Sequence, residues 1–474
     1  MYNEDTIVAR ATPPGEGAIA IVRMSGHGAL DILRSVFRPA NAQSSVERIK
    51  SHLLTLGAIV DPVTGESIDT VLVVLMRAPR SYTGEHVVEI HCHGGPSVVR
   101  HIVEMLMEKG ARLAEPGEFT RRAFLNGRLD LAQAEAVCDL IQASTDAART
   151  IAMRQLNGEL SAVITRLRDR LIDVAAEIEA RLDFADEEIP EADIQTMRSA
   201  VAEVQQRLEQ LVREGKRGRV YREGARVVFV GRPNTGKSSL FNALVGRERA
   251  IVTAHPGTTR DSIESTVDLH GVPITYVDTA GLGPSQDEIE IASARRTESE
   301  IKAADLALFL LDISEPLQSE DISCYAPVKQ LRHICVMNKI DLPHQLDQEE
   351  VKARLDIQDD VPFVRVSALN RTGLETLESL IVREMVEEER AVENEGVLVS
   401  NLRHTTALER ARQSLQRVSQ ALENGLSGPE RGIEAGELVM VDLNEAMAGL
   451  GAILGLTIGS EVLDRIFSRF CIGK

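Results

Sequence analysis

Tryptophan is absent from the 474 residues, and aromatic side chains amount to only 3%. No core can lean on stacked rings, so Leu, Ile, Val and Ala have to fill it; 43% hydrophobic and 26% charged residues supply enough material for a globular chain. Cysteine is scarce and odd in number: Cys92, Cys138, Cys324, Cys335 and Cys471. Five scattered thiols argue against a disulfide framework and for a reducing compartment. No apolar run approaches the ~20 residues that span a bilayer; the glycine-rich stretch Gly449 to Gly459 falls far short. The opening Met-Tyr-Asn-Glu-Asp has neither a basic nor an apolar signal region, and a cytoplasmic location with no membrane partner is expected. Positive charge is short as well. Lys and Arg number 53 against 72 Asp and Glu, a net −19. Sequence-independent nucleic-acid binding needs many cationic phosphate contacts, so a nucleic acid handled by this chain is held locally or shared with a more basic partner.

What is present is organised around Gly231-Arg232-Pro233-Asn234-Thr235-Gly236-Lys237-Ser238. It reads G-x-x-x-x-G-K-S, follows the apolar run Arg226 to Val230 and precedes the helical Ser239-Leu240-Phe241-Asn242-Ala243-Leu244. Strand, glycine-rich loop and helix are the context a phosphate-binding loop requires. Backbone N–H groups turn inward around phosphate oxygens, and the helix N-terminus adds roughly half a positive charge. Lys237 is expected to reach the β- and γ-phosphates and Ser238 to hold Mg²⁺.

Length suggests about three domains. Residues 1–122 alternate short strands with turns and read as a compact α+β domain; Ala18 to Val22, Thr70 to Leu75 and Val87 to Ile90 are strands, and Ser97 to Lys109 has helical spacing. His91-Cys92-His93 reads as a polar turn at a strand end rather than a metal site, since no second ligand pair lies nearby. Residues 123–218 carry helical stripes such as Leu160, Ile164, Leu167, Leu171, Val174 and Ile178, interrupted by an acidic break at Asp183 to Asp193. Residues 219–386 alternate strands and helices, the doubly wound signature. Helical periodicity returns over 387–474. Two helical stretches around an α/β unit suggest one helical domain with the α/β domain inserted into it.

Downstream motifs then select the nucleotide. Gly257-Thr258-Thr259-Arg260-Asp261 offers Thr259 to Mg²⁺ and the γ-phosphate. The strand Ile274 to Val277 ends in Asp278-Thr279-Ala280-Gly281, with Asp278 behind Mg²⁺ and the Gly281 N–H toward the γ-phosphate. The strand His333 to Met337 ends in Asn338-Lys339-Ile340-Asp341. The Asp341 carboxylate can accept both guanine N1–H and a 2-amino hydrogen, which adenine does not offer. Val366-Ser367-Ala368-Leu369 closes on the base. Five such elements in order are specific for GTP. Leu282 stands where Ras-like enzymes carry a water-orienting glutamine, so hydrolysis needs another water-positioning group and another source of positive charge.

On these residues the chain resembles the MnmE (TrmE) family of tRNA-modifying GTPases, over essentially its whole length. Further matches are Asp5-Thr-Ile-Val-Ala9 with Ala11 to Gly15, Ser81-Tyr-Thr-Gly-Glu85, Pro116-Gly-Glu-Phe119, Arg122 to Asn126, Leu129 to Glu135 and the terminal Phe470-Cys-Ile-Gly-Lys474. The resemblance implies an α+β N-terminal folate-binding and dimerisation domain, an α-helical domain and an inserted doubly wound P-loop GTPase domain. It implies action with the FAD-containing partner MnmG, in a heterotetramer or larger complex. Together they would add an aminomethyl or carboxymethylaminomethyl group to C5 of the wobble uridine of certain tRNAs. The implied one-carbon donor is 5-formyl- or 5,10-methylene-tetrahydrofolate, at Arg23, Glu89, Arg128 and Lys474; the family often has lysine at the position of Arg128. It also implies that the nucleotide domains of a homodimer meet face to face around K⁺, held by Asn234, Thr258 and the backbone carbonyls of Thr253 and His255. The water-orienting carboxylate corresponds to Glu290. Gly283 departs from members that carry arginine. Cys471, on a tail implied to reach the folate pocket, is the candidate thiol nucleophile or base.

Two other classes compete. An Era-like ribosome-assembly GTPase shares this type of nucleotide domain but needs a basic RNA-binding module, which the flanking sequence lacks. A dynamin- or septin-like scaffold needs a basic or amphipathic membrane surface, also lacking.

Overall fold

Alternation of apolar and polar residues builds the first sheet. The structure, a computed structural model, describes residues 5–41, 45–183, 191–247, 263–278, 299–386, 398–424 and 431–474. Strands β1 (Thr6–Arg10), β2 (Ile19–Ser25), β3 (Phe37–Pro39), β4 (Thr55–Val60), β5 (Ser67–Met76), β6 (Val87–His93) and β7 (Ala111–Leu113) join in the order β3-β4-β5-β6-β2-β1-β7. All neighbours are antiparallel except β1 and β7. Along β5, Val71, Val73 and Leu75 are buried in turn. They meet Val22, Met24 and Ile90 beneath helices α1 (Ala29–Val36) and α2 (Pro96–Glu108), which contribute Leu33, Ile102 and Leu106. In-register residues share a face, so Ala9, Arg23, Glu89 and Val74 line the side away from those helices. Farther along that side Ile19, Leu56 and Leu72 remain exposed. His91-Cys92-His93 is not a turn. All three residues belong to β6, because His91 pairs with Ile21 on one side and Leu72 on the other.

Helices follow: α3 (Glu118–Leu125), α4 (Leu131–Gln142), α5 (Asp146–Leu156), α6 (Glu159–Asp183) and α7 (Glu191–Glu223). The last runs five residues past the expected boundary at 218, since Tyr221 extends the buried stripe that includes Leu208 and Leu211.

The second sheet contains β8 (Ala225–Val230), β9 (Ile263–Leu269), β10 (Val272–Asp278), β11 (Leu306–Asp312), β12 (His333–Asn338) and β13 (Phe363–Arg365), in the order β13-β12-β11-β8-β10-β9. Only the β9–β10 pair is antiparallel. Every residue of β11 is buried. Leu306, Leu308 and Leu310 enter one core with α8 (Lys237–Val245) and the helix Leu374–Val386, whereas Ala307, Phe309 and Leu311 enter the other with Tyr325, Val351 and Leu355. A sheet covered on both faces needs such continuous apolar strands, and this is the doubly wound arrangement expected.

Beyond it the helix Leu402–Asn424 packs along α7. Its Leu408, Ala411, Leu415, Val418 and Leu422 are fully buried at three- and four-residue spacing. A helix before the α/β segment thus packs with one after it, as an inserted domain requires. Helices Arg431–Leu454 and Ser460–Phe467 complete the chain. Contacts divide it into two compact units. One comprises the residues up to Cys138 with Leu156–Thr165 and Leu450–Lys474; the other comprises Asp139–Gln155 and Arg166–Gly449.

Candidate functional site

The glycine-rich loop lies between the end of β8 and the start of α8, at the carboxyl edge of the parallel strands where such sheets bind ligands. Close approach dictates its glycines. A Cβ at Gly231 would stand 2.6 Å from the Leu310 carbonyl oxygen, and one at Gly236, whose φ is 94°, would stand 2.3 Å from Asn338 Nδ2. Asn234 is exposed with φ of 64°. Thr235 is buried and donates to the Arg232 carbonyl at 3.0 Å. Lys237 bends back over the loop, its Nζ donating to Gly231 O at 2.7 Å and Arg232 O at 2.9 Å. Burial lowers the Lys237 pKa, against the opposing influence of Cys324 and Asp278. Phosphate oxygens can replace those two carbonyls as acceptors and supply the countercharge. Ser238 and Ser239 are exposed in the first turn of α8, and Asp278 is buried at the end of β10. A hydroxyl and a carboxylate are the kinds of oxygen ligand that Mg²⁺ prefers.

Asn338 joins the phosphate loop to the base loop. It is 1% exposed; its Nδ2 donates to Thr235 O at 2.8 Å and its Oδ1 accepts from the Ala368 N–H at 3.1 Å. Ser367 Oγ donates to Asp341 Oδ1 at 2.5 Å and accepts from the Asn370 N–H at 3.0 Å. One Asp341 oxygen is thereby fixed, and Leu369, two residues after Ser367, is 81% exposed, an apolar surface open to a planar base. Lys339, with φ of 68°, places Nζ 2.6 Å from Asp312 at the end of β11. Burial alone would raise the Asp312 carboxyl; the bonds from Lys339 and Ser314 outweigh it and hold it low. Sequence reasoning passed over Asp312, although a single acid closing the apolar run Leu306 to Leu311 was the available signal. It also passed over Arg232, whose guanidinium meets Glu315 at 2.6 Å and Asp321 at 3.3 Å. Thr253, His255, Thr258, Thr259, Thr279, Ala280, Gly281, Leu282, Gly283 and Glu290 lie outside the described residues.

A second cluster forms where the C-terminal tail meets the first sheet. Arg23 pairs with Glu89 through Nε at 2.8 Å and NH2 at 2.7 Å, and its NH1 donates to Gly473 O at 3.2 Å. The same guanidinium lies 5.7 Å from the ring centroids of both Tyr82 and Phe119. Gly473 has φ of 95°, and a Cβ there would stand 2.2 Å from the Arg10 carbonyl oxygen. The Cys471 carbonyl accepts from the Gly117 N–H at 3.4 Å, and the Cys471 residue itself is exposed. Lys474 is half-buried; burial lowers its pKa, the Arg23 charge adds to that, and Glu89 opposes it. His91 Nε2, 3.6 Å from Glu89, is buried without a hydrogen-bond partner. The structure therefore brings Arg23, Glu89, Lys474 and the tail of Cys471 together. Arg128 is exposed, with its Cγ and Cδ beside Gly84. Cations, one carboxylate and two rings suit a flat heterocycle that carries carboxylates, the chemistry of a folate.

Behind this cluster the shared sequence motifs converge on buried charge. Arg122 meets Asp5 at 2.6 Å and Glu85 at 3.1 Å; Arg112 meets Glu118 at 2.6 Å and Asp5 at 2.8 Å. Burial would raise the Asp5 and Glu118 carboxyls. In Asp5 the bonds from Arg112 and Arg122 win; in Glu118 the Arg112 bond, the Glu115 N–H and both arginine charges do, so both pKa values are lowered. Ser25 Oγ lies 2.7 Å from both Thr83 Oγ1 and Glu85 Oε2. These bonds tie β1, the loop of Ser81 to Glu85 and α3 together, a network that the contiguous sequence does not reveal. Among the described residues no group of three or more His, Cys, Asp or Glu could hold a metal ion, and no helix is long and apolar enough to cross a membrane.

Comparison with known proteins gives the same outline. The family described as MnmE helical domain matches residues 131–471, and the GTP-binding protein TrmE N-terminus matches residues 6–128. The tRNA modification GTPase MnmE of Carboxydothermus hydrogenoformans is 43% identical over 472 residues, covering 99% of this chain and 100% of its own. That of Moorella thermoacetica is 45% identical over 474 residues, again 99% and 100%. That of Lactiplantibacillus plantarum is 42% identical, covering 99% and 98%. The solved G domain of the T. maritima FeoB iron transporter is 29% identical, covers 34% of this chain and 97% of its own, and has a TM-score of 0.26. Full-length likeness at this level, on a chain whose phosphate loop, base loop and docked tail are as described, makes the protein a member of the MnmE (TrmE) family.

Proposed function

We propose that this chain is a GTP-hydrolysing tRNA modification enzyme. With an FAD-containing partner, MnmG, it adds an aminomethyl or carboxymethylaminomethyl group to C5 of the wobble uridine of certain tRNAs. The observation that carries the reading is the union, in one chain, of a guanine-type P-loop domain and a Cys-containing tail held on Arg23 beside Glu89. A nucleotide switch alone has no use for such a tail.

In this reading Lys237 and Ser238 take the phosphates and Mg²⁺, with Ser239 at the helix start, Thr235 and Gly236 in the loop, and Asp278, Thr279, Ala280 and Gly281 at the γ-phosphate. Asn338, Lys339 and Asp341 take guanine, with Ser367, Ala368 and Leu369 over it. Thr259 adds a second Mg²⁺ ligand. K⁺ at Asn234, Thr253, His255 and Thr258 supplies the positive charge that Leu282 leaves wanting, and Glu290 orients water. A tetrahydrofolate supplies the one-carbon unit when bound. Arg23, Glu89, Arg128 and Lys474 hold it, and Cys471 serves as thiolate or base. Exposed Ile19, Leu56 and Leu72 on one sheet face support a homodimer through the N-terminal domain. The absence of a membrane-length helix among the described residues is compatible with a cytoplasmic site of action.

The test is nucleoside mass spectrometry of tRNA from the source strain with this chain deleted, then restored. Loss of the wobble-uridine derivative and its return on complementation are expected; an unchanged nucleoside profile refutes the proposal. Purified chain should hydrolyse GTP faster in KCl than in NaCl, and equal rates remove the K⁺ role.

A further inference from the structure

We propose that α5 is the lever that reports the nucleotide state to the helical domain, with the Thr145 hydroxyl as its latch. The inference rests on the reading of the chain as a GTP-driven enzyme, and all its contacts lie inside one compact unit.

The β9–β10 hairpin is the nucleotide end of this path. In sequence, β9 starts just after the segment containing Thr253 to Thr259, and β10 ends on Asp278, just before Gly281. Both open ends of the hairpin thus belong to the candidate γ-phosphate elements. Seven in-register pairs make it a stiff ribbon, from Val272–Leu269 at the turn to Asp278–Ile263 at the nucleotide end. Its turn, His270 and Gly271, has φ of 52° and 87° and lies roughly 20 Å away along the strands. β9 is an edge strand with no second ladder to break, whereas β10 is tied to β8 over Ile274 to Asp278, so a shift is carried by β9 and the turn.

The turn is gripped by the start of α5. Thr145 is 5% exposed. Its hydroxyl donates to Gly271 O at 2.9 Å and accepts from the Ala148 N–H at 3.2 Å. One side chain therefore caps the helix and ties it to the ribbon, with its single proton and a lone pair both used. The turn is set in its own right, since Asp268 Oδ1 accepts from the Gly271 N–H at 2.7 Å. One turn further on, Ala147 and Ile151 enter the same core as Val267, Leu269 and Val272. Any displacement of the ribbon turn is felt by both a hydrogen bond and a packed face of α5.

At the other end of α5, Gln155 is fully buried. Its Nε2 donates to Leu398 O at 2.6 Å and to Ser400 Oγ at 3.1 Å. Leu398 to Ser400 is the segment that leads into the helix Leu402–Asn424, the partner of α7. So α5 touches the nucleotide domain at its first residues and the returning helical chain at its last. The side of α5 facing Asp139 and Arg222 borders a cavity of about 30 Å³, lined also by Ala148, Ile151, Ala152 and Ser400. That space is room for about one or two water molecules, enough for a small shift of α5.

The test uses hydrogen exchange on the full-length wild-type chain, with GDP and with a non-hydrolysable GTP analogue. Amides of residues 148–155 should differ in exchange between the two states, as should those of β9. In Thr145→Val the β9 difference persists and the α5 difference falls by about fivefold or more, the scale of one lost coupling contact. Thr145→Ser, which keeps the hydroxyl, restores it. K⁺-stimulated GTP hydrolysis should stay within about twofold of wild type in both variants, while tRNA modification falls in the valine variant alone; the scale again follows from a latch remote from the γ-phosphate. Equal α5 exchange in the two nucleotide states of the wild type overturns the proposal. So does an undiminished nucleotide response in a folded valine variant. Neither exchange readout needs tRNA chemistry, so failure of the modification reading leaves this test standing and distinguishable.

Discussion

Replacing Gly473 with alanine tests the docked tail without touching a charged group. Gly473 has φ of 95°, and the atoms an added carbon would meet are backbone: Arg10 O at 2.2 Å and Ala11 Cα at 2.9 Å. Non-bonded carbon is comfortable at roughly 3.5 Å, and these atoms belong to the end of β1 and the chain after it, so they cannot swing aside as a flexible side chain would. The left-handed backbone alone costs an alanine roughly 1–2 kcal/mol. If the tail backs away to relieve the clash, it also gives up the charge-assisted bond from Arg23 to Gly473 O, worth about 1.5–3 kcal/mol. Taking about 2 kcal/mol, below the sum of the two lower bounds, the open tail becomes about 30-fold more populated. Removal of Lys474 by carboxypeptidase B, followed by intact mass, reads that population when opening and closing are fast relative to cleavage. Trimming in Gly473→Ala should therefore run about 30-fold faster than in the wild type. Gly459→Ala is the matched control. Gly459 has φ of −72° and nothing within 4 Å of its added carbon, so trimming there should match wild type. A Gly473→Ala protein trimmed at the wild-type rate refutes the docking and the candidate site built on it.

Three further outcomes follow from the geometry. Asn338→Ala leaves Thr235 O and the Ala368 N–H without their shared partner; at about 1–3 kcal/mol for an orphaned buried group, fluorescent GDP should bind at least about tenfold more weakly, and unchanged affinity argues against the clamp. Asp5 and Glu118 have lowered pKa values in the folded chain, so their contribution is present above the unfolded values near 4 and is lost as pH falls through the folded ones. Arg122→Gln should lower the melting temperature at pH 7, the scale being about 3 kcal/mol for a broken buried pair, and that deficit should shrink in melts run toward pH 3; a deficit independent of pH rejects the charge explanation. Phe467→Ala opens the cluster of Leu131, Ala134, Leu463 and Phe470 and should cost about 3–5 kcal/mol in urea unfolding of the unit that contains it; a loss below about 1 kcal/mol denies the tail helix its core.

What could be read in advance, and what could not, follows from how far apart the cooperating residues lie. The nucleotide motifs are contiguous, and each closes an apolar strand, so spacing alone announced Gly236, Lys237, Asp278 and Asn338. The doubly wound core was legible for the same reason, because a run such as Leu306 to Leu311 has no polar face to offer water. The tail was visible only through family resemblance, since Arg23 and Gly473 are 450 positions apart and no periodicity links them. His91-Cys92-His93 was misjudged because polar residues at a strand end resemble a turn; pairing of all three with β2, and of His91 with β5 as well, keeps them in β6. Thr145 gave no signal at all, being one hydroxyl whose partner is a carbonyl 126 residues away. The chain's charge becomes intelligible at the same level. Many of its arginines are committed internally: Arg23 to Glu89, Arg112 and Arg122 to Asp5, Arg222 to Asp139, Arg226 to Glu264 and Glu300, and Arg232 to Glu315. A guanidinium bound to a carboxylate has that carboxylate to lose before it can take a phosphate, so these residues contribute little to polyanion affinity. The net −19 therefore understates how little free positive surface these arginines leave. That is the physical ground for expecting little sequence-independent affinity for a polyanion from these residues, and a loss of what there is as salt rises.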